Sequence, residues 1–557
     1  MKYKRLGDML LSVDLITEEQ LNEALAKQKE SKDRLGKVLV DNGYITESQL
    51  IETLRMQLGI DFIDLTKVDI PPEMSSYVPK HIARKDSIVP VKLVKDTLFI
   101  AMADPMNFMA IEEARKTSKK RIIPMIASST AVDHAINTLY GNEGAAEAMA
   151  QMRAEAGIRQ DEAEEINEGN ANAPTIRLVN SIVERAFTEK ASDIHFEPSS
   201  GDMNVRMRID GRLHNILKIP GDLKDPVISR LKVMGHLDIV ERRIPQDGRA
   251  EMKLKSKDID MRMSTLPTIY GEKVVIRLLA RDENMLDRRG IGIMDADSDK
   301  LDKMMANTSG VILIVGPTGS GKSSTMYTLI KELLNESTNL ITLEDPVEYN
   351  IDGATQVQIN EKTGLTFASG LRAILRQDPD IICVGEIRDG ETAEIAMRAA
   401  MTGHLVISTI HTEDAVSAID RLHDMGVEPY LIAGGLRGII SQRLVRVICK
   451  NCKEEYEPDK EKLKMAGIDD VPGRKYYHGS GCDMCFHSGY RGRTGVFEFL
   501  PVNDKLRKCI NDGANKQEIK QIIGESGFVT MQQNAEALVS EGVTTVEEVC
   551  RTLGMVE

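Results

Sequence analysis

Gly316-Pro317-Thr318-Gly319-Ser320-Gly321-Lys322-Ser323 decides the reading of this chain. The stretch satisfies G-x-x-x-x-G-K-[ST] at every required position. Its flanks agree with it. Val311-Ile312-Leu313-Ile314-Val315 is a short apolar run suited to a buried parallel strand, and Ser323 to Leu334 carries no Gly or Pro and predicts a helix. Strand, glycine loop and helix together aim backbone N–H groups and a helix N-terminus at phosphate. Glycine is needed because the backbone must wrap a pyrophosphate with no Cβ in the way. Residues 316–323 with the following Ser324 are therefore the candidate nucleotide site. Within it Lys322 offers a point charge for the β- and γ-phosphates, and Ser323 a hydroxyl for Mg²⁺.

At 557 residues the chain predicts several domains, because single cores stop growing near ~250–300 residues. A net charge of −14 argues against a protein that coats nucleic acid. No stretch approaches the ~18 apolar residues of a membrane span. The basic start Met1-Lys2-Tyr3-Lys4-Arg5 is not followed by an apolar run, so no signal peptide is expected. Seven cysteines, four of them in two C-x-x-C pairs, suit a reducing compartment and a metal site better than disulfides. The expected location is the cytoplasm.

An internal repeat opens the chain. Arg5-Leu6-Gly7 leads to Gln28, and Arg34-Leu35-Gly36 leads to Gln57, at a constant offset of 29 (34 − 5, 57 − 28). Thr17 with Gln20, and Thr46 with Gln49, have the spacing of a helix N-cap with a polar residue three on. Each unit is thus expected to be two short helices around a turn, with its leucines and isoleucines as core. Core packing does not call for an Arg at the start and a Gln at the end of both units. Arg donates to phosphate in a bidentate way and stacks on a base. The pattern resembles the cyclic-di-GMP-binding N-terminal domain of pilus and secretion ATPases, which implies that Arg5, Leu6, Gly7, Gln28, Arg34, Leu35, Gly36 and Gln57 hold the two halves of the dinucleotide. One position departs from that pattern: where the second motif has Gly43, the first has Asp14. A helical docking module without ligand is the competing reading.

From Ile60 to Tyr140 the pattern is mixed α/β, with strands expected at 87–94 and 97–102 and helices at 109–119 and 129–140. Residues 142–173 are rich in Ala, Glu, Gly and Asn and read as a flexible or weakly helical acidic linker. An α+β domain is expected over 174–285. It starts with an amphipathic helix at 175–190 and contains a hairpin turn at Asp210-Gly211 and a turn at 244–249. Its many arginines are by default solvated strand faces or ion pairs.

After the phosphate loop, apolar runs end in chemistry-bearing residues. Leu340–Leu343 precedes Glu344-Asp345-Pro346, Ile381–Val384 precedes Gly385-Glu386-Ile387-Arg388-Asp389, and 404–412 carries a His near each end, His404 and His411. Acidic residues at the C-terminal ends of parallel strands sit where such sheets bind ligands. Cys449 and Cys452, with Cys482 and Cys485, form two knuckles separated by 29 residues (482 − 452 − 1), the donor set of a closed tetrahedral Zn²⁺ site. Cys383, Cys509 and Cys550 fall in apolar patterns and are expected in the core, and 504–553 reads as a helical tail.

The SDIHFEP and RIPQDGR runs, ITLEDPVEY, GEIRD, TGHLVISTIHT and GYRGRTG resemble, in order and spacing, the type II secretion and type IV pilus ATPase superfamily over about Pro174 to Arg493. The resemblance implies a RecA-like P-loop ATPase domain at 286–557, with a zinc element at 446–497 and a tail at 498–557. It implies a PAS-like α+β middle domain at 174–285 and an N-terminal helical-repeat plus α/β domain at 1–141. It implies catalytic roles as well: Glu344 polarising the attacking water, Glu386 with Ser323 holding the Mg²⁺ shell, His411 sensing the γ-phosphate, Lys322 clamping phosphate, and Arg208 and Arg230 reaching a neighbour's phosphates in a homo-hexamer. Extension and secretion ATPases of the superfamily carry the cysteine element and retraction ATPases lack it. The expected function is a hexameric ATP-hydrolysing motor for type IV pilus assembly, working with ATP, Mg²⁺, structural Zn²⁺ and regulatory cyclic di-GMP. It would act at the inner face of the cytoplasmic membrane on a platform protein, without nucleic acid. The type II secretion ATPase is the near alternative, and a cyclic-di-GMP sensor with incidental ATP turnover the alternative of another class.

Overall fold

The computed structural model describes residues 6–13, 15–31, 35–66, 68, 70–158, 174–254, 257–279 and 287–554. Two compact units emerge, Met1–Leu278 with Cys482–His487, and Leu279–Gly481 with Ser488–Glu557.

The first unit begins with the expected pair of helical hairpins, Leu6–Ser12 with Glu18–Ser31 and Leu35–Asp41 with Glu47–Leu58. Both predicted capping boxes form. Thr17 N–H donates to Gln20 Oε1 at 2.9 Å and Gln20 N–H to Thr17 Oγ1 at 3.2 Å; Thr46 and Gln49 repeat this at 2.8 and 3.3 Å. The two buried glycines repeat too. A Cβ on Gly7 would lie 2.9 Å from Leu21 Cδ1, and one on Gly36 would lie 3.0 Å from Leu50 Cδ1. Each glycine thus lets the first helix of its hairpin press on the second. Leu10, Ile16, Ala24, Val38, Leu39 and Ile45 form the shared core.

A three-stranded sheet follows, ordered Ile88–Val94, Thr97–Met102, Arg121–Ile126, its third strand missing from the sequence reading. The helix expected to stop at Tyr140 instead runs from Ser129 to Ile158, into the stretch read as linker. Large apolar residues are scarce there, which hid it. Ala145, Ala148 and Met152 fall at helical spacing and are buried with the helix Pro174–Thr188 in one core. Small side chains suffice where two helices lie close.

The six-stranded sheet of the same unit is ordered Arg212–Ile219, Met203–Ile209, Asp193–Pro198, Gly271–Leu279, Lys257–Thr268, Gln246–Leu254. Strand Met203–Ile209 alternates strictly, with Met203, Val205, Met207 and Ile209 in the core. The predicted hairpin forms: Ile209 pairs with Arg212 across Asp210 (φ 48°) and Gly211 (φ 81°), as a two-residue primed turn requires. The turn predicted at 244–249 is a strand from Gln246 onward, since Gly248 and Arg249 pair with Met263 and Arg262. On the outer face the arginines are ion-paired as expected. Arg206 and Lys273 meet Glu197 at 2.7 and 2.9 Å, and Arg277 meets Asp193 at 3.0 Å.

The second unit is built on a seven-stranded sheet ordered Thr355–Gln358, Leu340–Glu344, Ile381–Val384, Leu405–Ile410, Gly310–Val315, Leu436–Ile448, Tyr490–Pro501. The first six strands are mutually parallel and the last is antiparallel to its neighbour. Val311, Leu313 and Val315 enter one core, and Ile312 and Ile314 the other, so the strand is apolar throughout because both faces are covered. The last two strands frame the cysteine element. Between them lie the small hairpin Lys453–Tyr456 with Tyr476–Gly479 and the helix Lys460–Met465. Glu498–Pro501 likewise belongs to the sheet, and the tail is four helices from Asp504 to Leu553. Cys383 and Cys509 are buried as expected. Cys550 is only partly buried, its thiol donating to the Lys462 carbonyl at 3.1 Å.

Candidate active site

The strand Gly310–Val315 delivers the glycine loop, and the helix Lys322–Leu333 leaves it. Gly321 is the N-cap of that helix and no side chain caps it, so the first N–H groups remain for a ligand. The loop lies tight against the strand behind it. A Cβ on Gly316 (φ 152°) would sit 2.5 Å from the Gln442 carbonyl oxygen, and one on Gly321 (φ 89°) 2.7 Å from Gln442 Nε2. Ser320 Oγ is buried with no hydrogen-bond partner. A glycine cradle, an uncapped helix start and an orphaned hydroxyl are what a bound phosphate chain fits.

Lys322 Nζ donates to the carbonyls of Gly316 and Pro317 at 2.9 and 3.1 Å and lies 3.4 Å from His411 Nδ1. Burial holds its pKa below the usual lysine range, with the Glu386 carboxylate opposing that and Arg443 adding to it. His411 Nε2 lies 3.1 Å from Glu386 Oε2, and Arg388 Nε donates to Glu386 Oε1 at 2.7 Å. Arg388 also reaches Asp345 at 3.4 Å.

Glu344 closes its strand and is 3 % exposed. Three donors converge on it. Thr342 Oγ1 donates to Oε1 at 2.5 Å, Gln356 Nε2 to the same oxygen at 3.2 Å, and the Tyr327 hydroxyl to Oε2. The geometry gathers Gly319, Gly321, Lys322, Ser323, Ser324, Glu344, Glu386 and His411 into one pocket wall, joined by Thr318, Asp345, Glu348 and Arg493. Ser323 and Glu386 bring a hydroxyl and a carboxylate, the hard oxygen donors that suit Mg²⁺. The pocket wall does not include His404, whose Nδ1 lies 2.9 Å from the Ala399 carbonyl oxygen.

Arg208 and Arg230 do not line this pocket. Arg208 donates to the Gly211 carbonyl at 2.9 Å and lies 3.6 Å from Asp193, and Arg230 Nε is buried without a partner. At the N-terminal repeat, Leu6 and Leu35 are half-buried and Gly7 and Gly36 buried. Arg5, Asp14 and Arg34 lie outside the described residues, as does the side chain of Gln57. Tyr327, Gln356, Arg388 and Arg493 are pocket or adjoining residues that sequence reasoning did not single out; Arg388 and Arg493 stood in quoted runs.

The sulfur atoms of Cys449, Cys452, Cys482 and Cys485 all lie within 4.8 Å of one another. Cys482 Sγ and Cys485 Sγ are 3.7 Å apart, far beyond a disulfide and close to the edge of a tetrahedron with ~2.3 Å metal–sulfur bonds. Four thiolates with no further ligand fit a closed, structural Zn²⁺ site.

A family model described as Type II/IV secretion system protein matches residues 168–551, and an MshEN domain model matches 58–146, just after the second motif of the N-terminal repeat. The type IV pilus assembly ATPase PilB of Myxococcus xanthus is 39 % identical over 98 % of this chain and 98 % of that protein. PilB of Thermus thermophilus is 40 % identical over 88 % of this chain and 56 % of that protein. Type II secretion system protein E of Pseudomonas aeruginosa is 39 % identical over 88 % of this chain and 98 % of its own length. The crystal structure of the Yersinia pseudotuberculosis ATPase DotB shares the fold at a TM-score of 0.52 and 21 % identity, over 67 % of this chain and 92 % of that one. With its phosphate loop, strand-end acids and cysteine cluster in one order, the chain belongs to the type II/type IV secretion system family of ATPases.

Proposed function

We propose that this chain is the ATP-hydrolysing motor of type IV pilus assembly, regulated by cyclic di-GMP. The observation that carries the reading is the alignment with the Myxococcus pilus assembly ATPase, which spans both proteins almost end to end. Lys322 and the uncapped helix start neutralise the phosphate chain, and Ser323 and Glu386 hold Mg²⁺. Glu344 orients and polarises the attacking water, and His411 reports on the γ-phosphate side of the pocket. Phosphoryl transfer asks a protein mainly for positioning and electrostatics, so these groups suffice. Arg208 and Arg230 act in trans in a hexamer, bringing cationic charge to a neighbour's phosphates. Four cysteines hold Zn²⁺ as a structural staple. The paired motifs 5–28 and 34–57 hold one cyclic di-GMP, supported by the MshEN match that directly follows them. The motor works from the membrane's inner face through a platform protein; no helix among the described residues is long and apolar enough to cross a membrane.

Deleting the gene tests this. Loss of surface pili with protein secretion intact is expected; retained pili with lost secretion would assign the chain to type II secretion instead. That second reading is favoured by the Pseudomonas relative, which aligns over nearly its whole length. Calorimetric titration of the full chain with cyclic di-GMP tests the regulatory part. No heat of binding would reduce the N-terminal repeat to a docking module.

A further inference from the structure

The Tyr327 hydroxyl is bonded on every side. It accepts the main-chain N–H groups of Glu348 and Tyr349 at 3.1 and 3.3 Å, and its proton goes to Glu344 Oε2. A phenol oxygen has two lone pairs and one hydrogen. With both lone pairs taken by N–H donors, the hydrogen has only the carboxylate to go to. The direction of this bond therefore follows from the geometry. The same logic fixes Gln356. Its Oε1 accepts from Ile351 N–H at 2.7 Å, so its NH₂ faces the Tyr349 carbonyl at 2.9 Å and Glu344 Oε1 at 3.2 Å.

Tyr327 is fully buried on the helix that starts at Lys322, and its ring meets Tyr349 edge-on at 5.1 Å. One side chain thus ties the phosphate-loop helix to the loop that follows Glu344. Burial, with the Glu344 carboxylate beside it, pushes the Tyr327 phenol far above the usual tyrosine range, so it stays a donor.

We propose that Tyr327 is a positioning residue for hydrolysis: it donates to Glu344 Oε2 and so fixes the carboxylate with its other oxygen held by Thr342 and Gln356. This inference rests on the role given above to Glu344.

The test is a double-mutant cycle on the full chain, with steady-state ATPase rates. Tyr327→Phe keeps the ring and its stacking and removes only the oxygen. It should lower kcat by about 10-fold or more and leave KM for ATP within about 2-fold. In a Glu344→Gln background the same change should cost nothing further. Should Glu344→Gln keep the original rate, the role of Glu344 itself fails. Should Glu344→Gln be inactive while Tyr327→Phe keeps the original kcat, Tyr327 is not its positioning residue. Equal losses in both backgrounds would mark Tyr327 as a packing residue only and overturn the proposal. If the Phe variant does not fold, 3-fluorotyrosine at 327 keeps the shape and makes the phenol a stronger donor. Then kcat should depart from the parent value with KM for ATP unchanged, and an unchanged kcat would overturn the proposal.

Discussion

Lys322 and His411 are 3.4 Å apart through Nζ and Nδ1, and the opposite ring nitrogen is 3.1 Å from Glu386 Oε2. An ammonium only donates and a carboxylate only accepts. The bridge is therefore satisfied by one tautomer, with Nδ1 accepting from Lys322 and Nε2–H donating to Glu386. The phosphate clamp and the second strand-end acid are thereby linked through one ring. His411→Gln, which retains a donor toward Glu386, should keep more activity than His411→Ala, and His411→Asn, which retains an acceptor toward Lys322, should do the same. Equal kcat in all three variants would show that neither contact alone carries the link, and parent-like kcat in all three that the ring is dispensable.

Lys322→Ala and Glu386→Ala should each abolish turnover, by at least about 100-fold in kcat, since in the proposed mechanism each removes charge aimed at the transferring phosphoryl group. Their melting temperatures should match the parent. Lys322 donates its hydrogen bonds to carbonyls of the phosphate loop, and Glu386 sits past the end of its strand. Steady-state phosphate release with parallel thermal melts checks both halves.

Metal removal should act on stability before activity. Cys452→Ser, or a strong chelator under reducing conditions, takes away a site whose binding contributes on the order of 10 kcal/mol to local folding. The expected results are loss of about one equivalent of zinc by elemental analysis and a lower first melting transition. An unchanged melt with full zinc loss would reassign the cluster from staple to spectator.

Acid should weaken the middle sheet. Glu197 is held at about 2, against an ordinary 4.5; desolvation works to raise it, but hydrogen bonds from Arg206 and Lys273 win. The folded value is depressed, so this contribution is present above the unfolded value of 4.5 and is lost as pH falls toward about 2. Glu197→Gln should cost up to about 3 kcal/mol at pH 7 and flatten the stability curve below pH 4.5. Urea melts at pH 7 and pH 3 measure the difference.

Local chemistry was legible in the sequence; contacts between distant residues were not. The phosphate loop, the capping residues Thr17 and Thr46 and the Asp210-Gly211 turn each act within a few residues, so their spacing carried them. Glu344 could be named because it ends an apolar run. Tyr327 could not be, since within its helix it reads as one more core aromatic, and its hydroxyl finds Glu344 only when strand and helix pack. The strand pair Leu436–Ile448 and Tyr490–Pro501 was obscured because the cysteine element separates its halves. The helix through Ile158 was obscured because its buried face is alanine.

The tail makes the last prediction. Arg446 is 7 % exposed and Glu548 fully buried, and the pair meets at 2.6 Å. Arg446 N–H and Nε donate to the same carboxylate at 3.0 Å each, Arg551 Nε donates at 2.8 Å, and the Arg446 guanidinium stacks 3.9 Å from the Tyr490 ring centre. This joins the last tail helix, Val546–Leu553, to the sheet strand Leu436–Ile448. Breaking one side of such a pair leaves an uncompensated charge in the interior, which costs about 3–5 kcal/mol. Glu548→Ala should therefore destabilise the second unit by that amount. Replacing both partners, as Arg446→Met with Glu548→Leu, should recover part of the loss, because no buried side-chain charge is then left unpaired and only the residue-446 N–H and the half-exposed Arg551 lose their acceptor. Denaturant melts of the single and double variants distinguish the cases. A double variant as unstable as Glu548→Ala would mean that the charges themselves, and not their pairing, hold the tail to the sheet.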